Sequence, residues 1–182
     1  MAKKKNYTDA SLTKRGLSYL IDWYVGALCA ALPISLVSQK LYGTMTKQNL
    51  LKIQQPYGAI AGVIGILLAL VYYIYIPYHV YKGQTLGKHI CKIKMVQTDD
   101  QDVSLKSLIL RQGVGIIIIE GALYSASTLW HQLLTLLIHV NVVTPLMYIG
   151  LVIGAISTVM VLFTKKHRAI HDYIGNTKVV NI

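Results

Sequence analysis

Asp22 and Glu120 are acidic residues that interrupt long apolar stretches of this 182-residue sequence. An ionisable side chain inside a membrane-spanning helix costs about 2.5–3.5 kcal/mol on insertion scales, so such residues usually face the interior of a helix bundle. Counted at about 1.5 Å of rise per residue from Arg15 and Arg111, the two carboxylates reach a similar depth. They could therefore share a proton or a cation. The alternative is a structural role, in which each carboxylate is hydrogen-bonded between helices.

Charged residues near the ends of the apolar stretches predict a charge network. Arg15 lies seven residues before Asp22, which puts both on one helix face but about two turns apart, too far for a direct ion pair. The Arg15 side chain can extend to the membrane interface or turn inward to a carboxylate elsewhere. Asp172 lies just beyond the last apolar stretch, with His171 beside it. It is well placed to pair with Arg15 or Arg111.

His167 and His171 are four residues apart, a spacing that could hold a metal ion on a helix. Because the sequence has no third ligand nearby, we interpret them as hydrogen-bonding histidines and predict no metal or other cofactor. No nucleophile and base form a recognisable set, so we expect no enzymatic activity. Cys29 belongs to an apolar stretch and Cys91 to a basic loop, so a disulfide bond between them is not expected.

A glycine-containing loop follows the second apolar stretch, with the sequence Gly83, Gln84, Thr85, Leu86, Gly87, Lys88. A phosphate-binding loop of the Walker type needs four residues between its glycines and a Ser or Thr after the lysine. Here three residues separate the glycines and His89 follows Lys88, so we reject nucleotide binding. We interpret the loop as a tight interfacial turn whose glycines allow close backbone approach and whose lysine contacts anionic lipid headgroups.

Four apolar stretches form, or nearly form, the roughly 20-residue helices that cross a bilayer. They cover residues 17–37, 59–78, 112–129 and 142–163. The third is the shortest, and residues 133–138 could extend it. The stretches predict an all-α membrane protein, a four-helix transmembrane bundle at 17–163. The tyrosines at positions 72, 73, 75, 78 and 81 are typical of an aromatic belt at the membrane interface.

Composition and charge distribution support the same class. Hydrophobic residues make up 54% of the chain and charged residues 14%, which excludes a disordered chain and disfavours an ordinary soluble domain. A net charge of +11 alone would suggest nucleic acid, but no binding motif accompanies it. Of the 18 Lys and Arg residues, all but the three between the first two stretches fall in a basic arm at 1–16, a loop at 79–111 and a tail at 164–182, or at their borders. By the positive-inside rule these segments are cytoplasmic, in a multi-pass protein of the cell membrane.

The loop at 79–111 has structure of its own. Residues 90–97 alternate apolar and basic side chains, 98–101 form a polar turn, and 103–105 follow as a second short run. This pattern predicts a short β-hairpin on the cytoplasmic surface. Residues 178–182 resemble another short strand that can pair with it.

The order of these motifs resembles that of the RDD family of bacterial membrane proteins, which is named for one arginine and two aspartates. The resemblance assigns the arginine to Arg15, the first aspartate to Asp22 and the second to Asp172. Further positions that fit the family are His171, Thr177, the loop at 83–88, the polar turn at 99–102 and Arg111 at the start of the third helix. Glu120 is not part of the family signature, so its role rests on membrane physics alone.

The resemblance implies transport of small ligands, and Na⁺/H⁺ antiport is associated with some members. The first hypothesis is therefore a small transporter or cation/proton antiporter that uses Asp22 and Glu120. Because four helices form a small bundle, we expect it to work as a homo-oligomer. The alternative is a non-transporting membrane partner protein, an assembly, regulatory or immunity factor that binds another protein. Its small size and structured basic loop favour that alternative.

Overall fold

The computed structural model describes residues 7–121 and 124–182, which form a mostly helical protein with a small two-stranded sheet. The described helices are α1 (Leu12–Tyr42), α2 (Tyr57–Val80), α3 (Leu86–Ile90), α4 (Leu105–Glu120), α5 (Ser125–Ile138), α6 (Val143–Phe163) and α7 (Ile170–Ile174). The strands are β1 (Ile93–Gln97) and β2 (Thr177–Asn181). A short 3₁₀ helix at Leu50–Lys52 lies between α1 and α2. The C-terminal part of α2 (Val71–Val80) and most of α4 (Ile109–Glu120) are wound as π-helix.

Three of these helices, α1, α2 and α6, are long and apolar enough to cross a membrane, or four spans exist if α4 and α5 are one bent span. The first, second and fourth predicted stretches therefore correspond to real helices. The first begins earlier than predicted because Ser11 caps its N-terminus, accepting a hydrogen bond from the backbone N–H of Lys14. It also ends later, at Tyr42, where Gly43 in the left-handed conformation forms the C-cap. The basic arm at 1–16 lies partly outside the described residues, since the description begins at Tyr7.

The third predicted helix, at 112–129, differs from the structure. Two helices take its place, α4 ending at Glu120 and α5 beginning at Ser125, with a bend of 65° between them. The break frees the backbone carbonyl of Ile117, which instead accepts hydrogen bonds from Ser127 Oγ at 2.7 Å and Trp130 Nε1 at 2.9 Å. Residues 133–138 do extend the stretch, as part of α5. Positions 122 and 123 lie outside the described residues.

The strand at the C-terminus pairs with β1, as the sequence predicted it could. The two strands are antiparallel, with Lys94 opposite Val180. The predicted hairpin within the middle loop is reduced to a single bridge between Val96 and Asp102, because α4 begins at Leu105 and removes the residues that a second strand would need. The segment before α1 joins the same sheet through a bridge between Asp9 and Val180.

We call the end of the molecule that carries β1, β2 and residues 9–10 the sheet end. β1 lies between α2 and α4 in the chain, β2 follows α6 and α7, and residues 9–10 precede α1. The start of α1, the end of α2, the start of α4 and the end of α6 therefore all lie toward the sheet end. The four longest apolar segments run alternately away from it and back.

Helix α1 buries a stripe of mostly small residues that repeats every four positions. Its members are Ser18, Asp22, Gly26, Ala30, Ile34 and Ser38. This spacing keeps one face of the helix against the bundle. Large apolar side chains such as Leu28 of α1 and Phe163 of α6 stay more than half exposed, which suits helices that are surrounded by lipid. Asp22 thus belongs to the inward-facing stripe rather than to the exposed surface of the helix.

Candidate functional site

A cavity of about 530 Å³ lies between α1, α4 and α6 toward the sheet end. Apolar and small residues of α1 and α6, such as Tyr19 and Gly154, form much of its wall. Its acidic and basic lining residues come from α1, α3, α4 and α7 and are Arg15, Asp22, Lys88, Arg111, Glu120 and His171. Asp22 and Glu120, the two carboxylates predicted to lie within apolar helices, therefore face the same cavity.

Asp22 is buried, and four donors surround its carboxylate. The Tyr72 hydroxyl donates to Oδ1 at 2.6 Å, and the backbone N–H of Gly87 donates to the same oxygen at 2.9 Å. The Thr85 hydroxyl donates to Oδ2 at 2.5 Å, and Lys88 Nζ forms an ion pair with that oxygen at 3.0 Å. A buried charge of this kind is tolerated only when it is paired and hydrogen-bonded, and both conditions hold here.

The loop at 83–88 folds so that its second half reaches Asp22. Gly83 has a φ of +79°, which favours glycine, and its carbonyl accepts a hydrogen bond from the N–H of Met95 in β1. The side-chain amide of Gln84 donates to the carbonyl of Ile93 at 2.8 Å. These bonds hold the first half of the loop on the sheet. A Cβ atom at Gly87 would collide with the Ser18 carbonyl and with the Asp22 carboxylate, so a glycine is needed for this approach.

The predicted close backbone approach is confirmed at Gly87, whereas the predicted lipid contact is wrong for Lys88, whose ammonium turns inward to Asp22. The reason is the buried carboxylate of Asp22, which requires donors that α1 itself does not supply. Lys94, another lysine of the loop at 79–111, does not contact Asp22. Its Nζ lies 2.8 Å from Oδ1 of Asp102.

Asp172 is completely buried at the sheet end, where it joins α7 to two other helices. Arg111 of α4 donates through Nη2 at 2.7 Å and Nε at 3.0 Å to Oδ1, and Arg15 of α1 donates to Oδ2 at 3.1 Å. The backbone N–H of Ala169 donates to Oδ2 at 3.0 Å. The sequence left open whether Arg15 or Arg111 would pair with Asp172, and the structure pairs both.

Electrostatics at Asp172 favour the charged form. Burial by itself would raise the pKa of this carboxyl, but the charges of Arg111, His171 and Arg15 outweigh burial. The pKa of Asp172 is therefore held well below its usual range. Arg15 also donates to the backbone carbonyl of His167, which fixes the segment between α6 and α7.

Glu120 contacts His171 rather than Asp22. Its Oε1 accepts a hydrogen bond from the backbone N–H of His171 at 2.6 Å, and its Oε2 lies 2.8 Å from His171 Nδ1. The two carboxylates of the cavity thus bind different basic partners, Lys88 for Asp22 and His171 for Glu120. A proton shared directly between them, as the sequence suggested, is not the arrangement in this structure.

His167 and His171, the pair with metal-ligand spacing, have separate partners. Nδ1 of His167 lies 2.7 Å from the carbonyl of Val161, whereas His171 contacts Glu120. Within the part of the chain that the structure describes, no three His, Cys, Asp or Glu residues are grouped so that they could hold a metal ion.

Sequence reasoning missed Tyr72 and Tyr73 as parts of the site. Both are 3% exposed, and the Tyr73 hydroxyl donates to the backbone carbonyl of Asp22 at 2.8 Å. Tyr75 and Tyr78 face outward, with 53% and 37% exposure, and for them the aromatic belt stays a prediction. The tyrosines of this run therefore lie on two faces of α2, one buried and one exposed. Their helical spacing was the signal in the sequence that could have separated the two groups.

Fold and site together define a helical protein suited to a membrane, whose buried aspartates pair with basic residues from neighbouring helices and loops. The family model of the RDD family matches residues 9–176. The chain therefore belongs to the RDD family, and the matched range includes Arg15, Asp22 and Asp172. No curated protein and no solved structure shows a significant match to it.

Proposed function

We propose that this protein is a small multi-pass transporter of the cell membrane that exchanges a monovalent cation for protons. The observation that carries the proposal is that Asp22 and Glu120 line the same cavity, together with their basic partners Lys88 and His171. Ionisable residues within membrane helices usually face a functional pathway when they border a cavity. A purely structural carboxylate would need its hydrogen-bond partners but no adjoining space.

The chemistry of exchange follows from the pairing. Asp22 and Glu120 each contact one basic side chain, Lys88 and His171 respectively. Each carboxylate can be neutralised by a proton, by a cation or by its basic partner. A carboxylate that alternates between these states can couple proton movement to cation movement.

The proposed orientation places the sheet end in the cytoplasm. The segment before α1, the middle loop and the C-terminal strand meet in one sheet, so they lie on one side of any membrane that the helices cross. These segments and their borders also carry all but three of the 18 Lys and Arg residues. Positive charge on short loops favours the cytoplasmic side.

We further propose that the transporter works as a homo-oligomer and is surrounded by anionic lipid on its cytoplasmic side. Helix α6 buries little of its surface, with Gly150 and Ser157 as its buried residues. A second copy packed on α6 would enclose the cavity more completely. Basic side chains at the sheet end, such as Lys92, can contact anionic headgroups.

The test is proton flux in proteoliposomes that contain the purified protein, followed with a pH-sensitive dye after jumps of Na⁺, K⁺ or Li⁺. We expect cation-dependent flux in the wild type, and its loss in Asp22→Asn and in Glu120→Gln. Asp99→Asn is the matched control, because Asp99 lies in the exposed turn after β1.

Wild-type protein that is folded but gives no flux above empty liposomes would overturn the proposal. Normal flux in Asp22→Asn would overturn the role of this carboxylate. In the first case the alternative is a partner protein without transport activity, and co-purification in mild detergent would then be expected to recover a second protein in a fixed ratio.

A further inference from the structure

We infer that the position of the Lys88 ammonium beside Asp22 is a binding position for a monovalent cation, and that Lys88 is an internal competitor for it. The inference extends the proposed function by naming the contacts of the cation. It can also be tested by binding alone, without transport.

The ammonium occupies a site built from oxygen atoms. Nζ of Lys88 lies 3.0 Å from Asp22 Oδ2 and 3.3 Å from Thr85 Oγ1. The Thr85 hydroxyl hydrogen is directed to Asp22, so the lone pairs of Oγ1 remain for the ammonium. Carboxylate and neutral oxygens of this type are the ligands that hard metal cations prefer. A sodium or potassium ion would find the same two oxygens.

The carboxylate stays in place when the ammonium leaves, because other donors hold it. Tyr72 and the N–H of Gly87 both bind Oδ1, and Thr85 binds Oδ2. Lys88, in contrast, reaches Asp22 with a single ammonium on a flexible four-carbon chain. The oxygen ligands are therefore pre-formed, and the lysine is the removable part.

Access distinguishes this ion pair from the one at Asp172. Asp22, Lys88 and Ser18 line the cavity of about 530 Å³, which can supply water to complete the coordination of a cation. Asp172 is fully enclosed and is bound by two arginines, whose planar guanidinium groups form several fixed hydrogen bonds. An ion from the cavity can replace the point charge of a lysine more readily than two arginines.

Removing the lysine charge creates the decisive test. A buried ion pair that loses one partner leaves an uncompensated charge, which must be neutralised by another ion or by a proton. In Lys88→Met we expect Na⁺, K⁺ or Li⁺ to bind with an apparent Kd at least about tenfold lower than in the wild type. Binding is measured by isothermal titration and by the cation-dependent rise of the thermal unfolding midpoint in detergent, with N-methylglucamine chloride holding the ionic strength constant.

Two further variants control this experiment. Lys88→Met combined with Asp22→Asn should lose the cation effect, because the carboxylate is gone. Lys94→Met should leave cation binding as in the wild type, since Lys94 pairs with Asp102 outside the cavity. A Lys88→Met protein that is stabilised by acid but not by any of the three cations would overturn the inference.

The wild-type chain offers a second test that needs no variant. A cation that displaces the ammonium exposes it, so acylation of Lys88 by an amine-reactive reagent should be faster in Na⁺, K⁺ or Li⁺ than in N-methylglucamine. Labelling of Lys94, measured by peptide mass spectrometry in the same sample, should not change. Equal Lys88 labelling in all salts would count against displacement.

The two proposals can fail separately. Cation-dependent proton flux without tighter binding in Lys88→Met and without faster Lys88 labelling would support transport and overturn the role of Lys88. Cation binding in Lys88→Met without any flux would support the binding position and overturn transport.

Discussion

Asp22 and Asp172 are both buried carboxylates with basic partners, yet their surroundings differ. Asp172 accepts hydrogen bonds from Arg15 and Arg111, lies outside the cavity lining and has no exposed surface. Asp22 borders the cavity and meets one lysine among neutral donors. Two arginines in a closed environment favour a permanent ion pair at Asp172. One lysine beside a cavity favours replacement of the basic partner at Asp22.

The same contrast separates a residue that holds the fold together from one that the proposed transport would use. Asp172 connects α7 to α1 and α4 through its arginines, so it holds three elements of the fold together. Asp22 connects α1 to the loop at 83–88 and to α2 through Tyr72. We therefore expect loss of the Asp172 charge to destabilise the protein, and loss of the Asp22 charge to remove the proposed transport with a smaller effect on stability.

The largest stability effect is expected for Asp172→Asn. It leaves the guanidinium groups of Arg15 and Arg111 buried without their anion, and breaking a buried ion pair in this way costs about 3–5 kcal/mol. The free energy of unfolding, measured by denaturant titration in mild detergent, should fall by this amount. Asp22→Asn is the matched variant and should lose less, because the flexible Lys88 side chain can move into the cavity. Equal losses in the two variants would remove the distinction between the sites.

A smaller effect is expected for the acid dependence of stability. The pKa of Asp172 is lower in the folded protein than the value of about 3.9 for an unperturbed aspartate. Its contribution to stability is therefore fully present above the unfolded value and is lost as the pH falls toward the lowered folded value. Thermal unfolding midpoints measured from neutral pH down to the acid range should fall less steeply in Asp172→Asn than in the wild type. Asp99→Asn should keep the wild-type slope, and an unchanged slope in Asp172→Asn would contradict the assignment.

The sequence predicted the position of a residue best where the cost of burying a charge in a membrane limits where that residue can lie. A carboxylate in an apolar stretch must face inward and find partners, and this requirement alone identified Asp22 and Glu120. The same reasoning placed Asp172 near Arg15 and Arg111, because all three lie at the ends of helices on one side. The pairing of β1 with the C-terminal strand was also accessible, because both segments show strand patterns.

Other features depend on tertiary packing, which the pattern of residues along the sequence does not predict. Lys88 lies in a basic loop, where a lysine is usually exposed to solvent. It turns inward because the fold places the carboxylate of Asp22 beside it. The bend between α4 and α5 interrupts a stretch whose hydropathy continues through it, and it becomes visible in the side-chain hydrogen bonds of Ser127 and Trp130 to the carbonyl of Ile117. The partners of Glu120 and His171 depend in the same way on how α7 meets the end of α4.

The smallest effect is expected at the ion pair between Lys94 and Asp102, which extends the comparison to a third carboxylate. The side chain of Asp102 is 62% exposed, so water and salt screen its charge. Asp102→Asn should lower the free energy of unfolding by no more than about 1 kcal/mol, the usual range for exposed pairs. The loss should shrink further in high salt, whereas the loss in Asp172→Asn should persist because that pair is enclosed. A decrease in the free energy of unfolding as large for Asp102→Asn as for Asp172→Asn would contradict this prediction. An ion pair open to water would then stabilise the fold as strongly as an enclosed one, and burial would not explain how the carboxylates of this protein differ in stability.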